Sequence, residues 1–204
     1  MQGYILNTIP IKNEDLIVHI LTPFGIKRLY RFYGARHSII HLGKKIDFEE
    51  EGNGFFLPKL RNVMHLGYPW ENNLDRVYIW QRFIGLLNKH LFDIYELDSF
   101  YFNMLQDGAI KLSKQNPLRV GLEMYAELLS FEGRGDKGER CFICGSKTGE
   151  QISLARAFLF AHPTCIGGKT FKKSDILKFL ALKTTLHFCD EDVERMWEIL
   201  TKGL

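Results

Sequence analysis

Three short apolar, β-branched runs crowded into the first 33 residues constrain this chain most. Runs 4–9 and 16–21 are separated by a turn-like segment, 10–15, and a third run, 26–33, follows the break Pro23-Phe24-Gly25. Runs of this length bounded by Pro, Gly, Asn and Asp read as strands. The third run threads Lys27, Arg28 and Arg31 among Leu29, Tyr30, Phe32 and Tyr33. Cations beside rings on a small sheet suit single-stranded nucleic acid, because cations meet phosphates and rings stack on unpaired bases. Strand alternation exposes either Tyr30 and Phe32 or Tyr33 alone and places the others in the core.

Further on, Ile46 and Phe48 alternate with charged residues in 45–51, Gly52-Asn53-Gly54 marks a turn, and 55–57 with 62–66 complete a sheet of five or so strands. Five short strands within about 68 residues fit a barrel of the oligonucleotide-binding (OB) type, with a small SH3-like barrel as the alternative. Charge supports a polyanion partner. The chain holds 27 Lys and Arg against 24 Asp and Glu, yet residues 1–45 hold seven cations (Lys12, Lys27, Arg28, Arg31, Arg36, Lys44 and Lys45) against Glu14 and Asp15. His37, beside Arg36, joins this candidate contact set.

After Gly67-Tyr68-Pro69 the apolar spacing changes to that of helices, so the expected domains are a barrel at 1–68 and a helical domain at 69–204. Helices are expected after Asn72 or Asn73, over about 96–112, and after the capping pair Asn116-Pro117. Two more are expected, one capped by Ser174 and a last one starting at Asp190 with acids in its first turn. No stretch approaches the roughly 18 apolar residues of a membrane span, and no signal-peptide pattern opens the chain. A cytoplasmic protein with reduced thiols is therefore expected.

Cys141-x2-Cys144-Gly145 has metal-knuckle spacing, and His162-x2-Cys165 follows 17 residues later, ahead of Gly167-Gly168. The pattern C-x2-C-x17-H-x2-C suits a structural zinc site with ligands Cys141, Cys144, His162 and Cys165, in a segment of about 139–168. Cys189 and His187 are reserve ligands farther along the chain. Four protein ligands leave no open position for water, and the deaminase signature His-x-Glu before Pro-Cys-x-x-Cys is absent. No nucleophile elbow, Walker motif or dinucleotide fingerprint occurs either, so a non-enzymatic protein is expected.

Gly3-Tyr4-Ile5-Leu6, Asn13-Glu14-Asp15-Leu16-Ile17, Leu21-Thr22, Gly25 and Gly34-Ala35-Arg36, followed downstream by the two knuckles, resemble the bacterial RecO family of DNA repair and recombination mediators. Two departures stand out: His162 occupies a position commonly cysteine, and Arg36-His37-Ser38 replaces a more basic run. The chain is also short for the family. The resemblance implies an α+β architecture, an N-terminal five-stranded OB barrel followed by an all-helical domain with a zinc-binding insertion. It implies binding of single- and double-stranded DNA and annealing of complementary strands in the cytoplasm, at the nucleoid. It further implies work with RecR to load RecA onto DNA coated by single-strand-binding protein (SSB), whose acidic C-terminal tail the helical domain receives. Lys111, Lys114 and Arg119 are the nearby cations for such a tail. From the residues alone, an RNA-binding OB protein, a zinc enzyme and an adaptor for an acidic protein stay open.

Overall fold

The computed structural model describes residues 1–36, 39–52, 54–94, 96–135 and 137–204. They form two compact units, Met1–Lys114 and Gln115–Leu204. The first is built on a closed barrel. β1 (Gln2–Pro10) pairs antiparallel with β2 (Leu16–Thr22), and β2 pairs antiparallel with β3 (Gly25–Arg31). β3 runs parallel to β5 (Lys59–His65) at Tyr30↔Lys59, while β5 pairs antiparallel with β4 (Lys45–Glu51). β4 returns to β1 through Tyr4↔Lys45, which closes the order β1-β2-β3-β5-β4. Closure leaves no strand edge for a second chain to extend. This is the OB arrangement, and the inward residues Ile5, Val18, Ile20, Leu29, Ile46, Phe48 and Leu60 fill it. The β2–β3 hairpin turns on Gly25 (φ +115°), whose carbonyl accepts from Thr22 Oγ1 at 2.8 Å.

The barrel ends near where the strand pattern does, but the compact unit continues to Lys114. Its helices α1 (Leu74–His90) and α2 (Phe100–Lys111) pack on the strands. Aromatic residues explain the attachment. Tyr4 of β1 meets Trp80 of α1 with ring centroids 5.9 Å apart and Phe102 of α2 at 5.6 Å, and Trp70 meets Trp80 at 5.7 Å. Trp80 Nε1 donates to the Gly43 carbonyl (2.8 Å), and a Cβ at Gly43 would lie 2.7 Å from the indole. The Tyr4 hydroxyl sits 2.7 Å from that of Tyr68, and burial drives its pKa far above that of an ordinary phenol. Residues 55–57, expected to extend the sheet, lie instead in the β4–β5 loop, because Pro58 ends the run and pairing resumes only at Lys59.

The second unit opens with α3 (Pro117–Phe131), capped by Asn116, whose Oδ1 accepts from the Leu118 N–H at 2.9 Å. It is not all helical. β6 (Gln151–Leu154) pairs with β7 (Phe160–Ala161) on one side and, beyond the short helix α4 (Pro163–Ile166), with β8 (Phe171–Lys172) on the other. α5 (Lys173–Leu182) starts directly from β8, so Lys172 rather than Ser174 is its cap residue. α6 (Asp190–Leu200) packs on α3, with Trp197 so close to Gly121 that a Cβ there would lie 2.5 Å from the ring. Glu123 accepts from the Thr185 N–H and hydroxyl, and Arg119 donates to the Thr185 and Phe188 carbonyls and to Asp190 Oδ1 (2.7 Å). Arg119 is thus committed to holding the α5–α6 connection. Among the described residues no helix is long and apolar enough to cross a membrane.

Removing the indole that joins helix to barrel should be costly. Trp80→Ala is expected to lower stability by about 3–5 kcal/mol, read as a fall in the denaturation midpoint; a change under about 1 kcal/mol would contradict this packing.

Candidate nucleic-acid interface and metal centre

Register brings three segments of the first unit to one end of the barrel. Pro10 pairs with Leu16, Leu16 with Arg31, Tyr30 with Lys59, and Lys59 with Glu51. The β1–β2 connection, the end of β3 and the β4–β5 loop therefore emerge together. Asp15, only 7% exposed, organises the first two. Its Oδ2 accepts from the Tyr30 hydroxyl, and its Oδ1 accepts from the Tyr33 N–H at 2.7 Å. The hydrogen bond to Asp15 raises the Tyr30 pKa. The alternation expected through residue 33 does not apply, because β3 stops at Arg31. Phe32 (43% exposed) and Tyr33 (54%) both face solvent, and Tyr30 is half-buried beside Phe32, its ring 4.9 Å away.

Cations surround these rings. Lys59 Nζ lies 5.7 Å from the Phe32 centroid and the Arg61 guanidinium 6.0 Å, while the Arg36 guanidinium lies 5.3 Å from that of Tyr33. Lys59 and Arg61 are not among the cations expected from the sequence. Their signal is the alternation Lys59-Leu60-Arg61 about one buried leucine, which a strand started at residue 62 hides.

The other candidate cations divide. Lys12 is exposed on the β1–β2 connection and has no ion-pair partner among the described residues. Lys27 meets Glu50 at 3.1 Å, Arg28 meets Asp93 at 3.6 Å, and Arg36 donates to Glu14. Arg31 donates to the Leu60 carbonyl (2.9 Å), and burial lowers its pKa. Lys44 and Lys45 sit at the opposite end of β4. Lys44 is bonded to Glu71, and Lys45 donates to Gln106 (2.6 Å) while lying 5.9 Å from the Tyr4 ring, with burial lowering its pKa. Both serve packing inside the unit. His37 lies outside the described residues.

In the second unit the four knuckle residues converge. One donor atom from each of Cys141, Cys144, His162 and Cys165 lies within 4.8 Å of every other. Gly145 (φ +71°) permits the first turn, in which its N–H donates to the Cys141 carbonyl at 2.8 Å. His162 Nδ1 faces the sulfurs, 3.3 Å from Cys144 and 3.7 Å from Cys165, and Nε2 lies 3.0 Å from the Lys147 carbonyl. That outer bond pins the ring so that Nδ1 presents a lone pair to an ion. The His162 N–H is 3.4 Å from Cys141 Sγ. Burial raises the Cys141 thiol, but backbone N–H groups of Cys144, His162 and Ile143 outweigh it, and the thiol falls to about 6. The Ser146 N–H lowers Cys144, while burial beside the other two sulfurs pushes Cys165 up to about 11. The Lys147 carbonyl and the Cys144 sulfur raise the His162 pKa. Sulfurs with amides aimed at them and an oriented imidazole could hold one soft or borderline cation through four protein donors. The reserve ligands lie elsewhere: His187 Nε2 is 3.0 Å from the Asp175 carbonyl, and Cys189 precedes α6 with its thiol on Asp192.

Residues 1–71 match the family described as RecO N terminal. No curated protein matches the chain.

Thiols must lose protons to ligate, so uptake of a zinc probe should release protons and tighten as pH rises from about 6 to about 8. Cys165→Ser is expected to weaken that uptake at least about tenfold and lower the unfolding midpoint. Uptake indifferent to pH, or a Cys165→Ser protein that holds metal as the parent does, would contradict the cluster.

Proposed function

We propose that this is a RecO-type DNA repair and recombination protein whose barrel grips single- and double-stranded DNA and anneals complementary strands, with no covalent chemistry. One observation carries the reading: the exposed rings of Phe32 and Tyr33 share one end of a closed barrel with Lys59, Arg61, Arg36 and Lys12. Lysine and arginine replace the counterions of phosphates, and a strand so neutralised repels its complement less, which favours pairing. The rings take unpaired bases in a manner indifferent to sequence. Binding is of moderate strength by charge, because residues 1–71 carry nine Lys and Arg against seven Asp and Glu, and carboxylates such as Glu50 and Glu51 hold part of that set.

In the second unit the proposed ion is zinc, held by Cys141, Cys144, His162 and Cys165. Bound there it supplies cohesion rather than Lewis-acid chemistry. The residues themselves close the two knuckles over a sheet of two- and four-residue strands, too short to be stable alone. The match of residues 1–71 to the RecO N-terminal family supports the further reading of cytoplasmic work with RecR on SSB-coated DNA, leading to RecA loading and recognition of the acidic SSB tail.

The test is binding of a labelled single-stranded oligonucleotide across a salt series. The parent is expected to lose affinity steeply with salt. Lys59→Ala combined with Arg61→Ala should flatten the log–log slope by about 1.4, or 0.7 for each phosphate that goes unneutralised. Complementary strands should anneal faster with the parent than without it. An unchanged slope would remove this end of the barrel from the interface, and preferential binding of the matched ribo-oligonucleotide would move the reading to RNA.

A further inference from the structure

We propose that the tip of the β4–β5 loop, through Phe55 and Phe56, is an aromatic wedge that takes up unpaired bases and makes the barrel prefer single strands to duplex. The inference rests on the DNA-binding reading above and goes beyond it by assigning the source of strand discrimination.

Phe55 is 87% exposed and Phe56 85%, and Leu57 beside them is exposed as well. Scattered single apolar residues on a surface need no explanation, but two adjacent rings and a leucine on one loop form a patch that asks for a partner. The base of the loop is fixed while its tip is bare. Glu51 pairs with Lys59 across it, the Tyr30 N–H donates to the Pro58 carbonyl at 2.8 Å, and Gly52 lies so close to Pro58 that a Cβ would meet its Cα at 3.1 Å. At the tip, Gly54 (φ +83°) turns the chain with nothing within 4 Å of where a Cβ would stand. The rings are therefore presented outward from a held stem.

The surroundings select the occupant. The loop leaves the barrel at the end shared with Phe32 and Tyr33, and Lys59 and Arg61 follow it directly. Flat apolar rings set among cations complement a ligand with flat faces on an anionic backbone. An acidic peptide would satisfy the cations but not the rings. A broad anionic surface, such as a lipid headgroup layer, would also meet the run Glu49-Glu50-Glu51 on β4. A single strand presents one row of phosphates, which can follow Lys59 and Arg61, and frees its base faces; a duplex hides those faces in its stack.

The test compares the full chain with its F55A/F56A and F55W/F56W variants, using a labelled oligothymidylate of about 15 nucleotides and a duplex hairpin of equal length. Both variants alter only solvent-exposed side chains, and an unchanged unfolding midpoint checks their fold. F55A/F56A should bind the single strand at least about tenfold more weakly and the duplex within about twofold of the parent, with the same salt slope, since every cation that meets a phosphate is kept. F55W/F56W should keep parental affinity and show indole fluorescence quenched by the oligonucleotide beyond any quenching in the parent. F55A/F56A binding the single strand as well as the parent, or losing both ligands equally, would overturn the wedge. If the parent binds neither ligand at low salt, the DNA-binding reading itself fails. If the parent binds and only the F55A/F56A comparison is flat, the wedge alone fails.

Discussion

A carboxylate that solvent barely reaches organises one end of this barrel. Asp15 closes the β1–β2 connection, and its two oxygens take the Tyr30 hydroxyl and the Tyr33 N–H. A charge so enclosed is tolerated only when its hydrogen bonds are made, so the two segments are tied to one another. The tie coincides with the end of β3 at Arg31, and that end is what frees Phe32 and Tyr33 from strand alternation. Were β3 two residues longer, one of the two rings would enter the core. Exposed rings, the cations that cover them and the neighbouring β4–β5 loop thus follow from one buried acid and one short strand.

The second unit depends on a different constraint. Its sheet is too small to hold the chain between α3 and α5, and the buried Phe158 beside it packs against Tyr125 of α3 and Phe179 of α5. Four side chains gathered from two knuckles could supply the missing cross-link by holding one metal ion. The chemistry of the cluster, with amides on the sulfurs and a carbonyl behind the imidazole, suits the holding of an ion.

Much of this was legible in the residues. The first four strands lie close to where turn residues and β-branched runs place them, and the barrel count follows. The knuckle spacing named all four clustered ligands. What escaped was decided by pairing that local pattern does not carry. Lys44 and Lys45 count as basic charge in any tally, yet their partners Glu71 and Gln106 are far along the chain and turn them inward. Phe55 and Phe56 look like strand residues by propensity, but Pro58 sets the start of β5 and strands them in a loop. The helices at 74–90 and 100–111 have ordinary amphipathic spacing. Nothing in that spacing says they attach to the barrel, which is decided by Trp80 and Phe102 meeting Tyr4 and by Trp70 meeting Trp80. Strands of two residues, β7 and β8, carry no periodicity to read.

The central claim is that DNA is held at the end of the barrel where residues 11–15, 31–33 and 54–58 emerge. Ultraviolet cross-linking of the intact protein to a single-stranded oligonucleotide, with the linked peptides mapped by mass spectrometry, tests it most directly. Cross-links are expected on peptides containing Phe32, Tyr33, Phe55 and Phe56. Cross-links confined to the Lys44–Lys45 end of β4, or to Gln115–Leu204, would contradict the account.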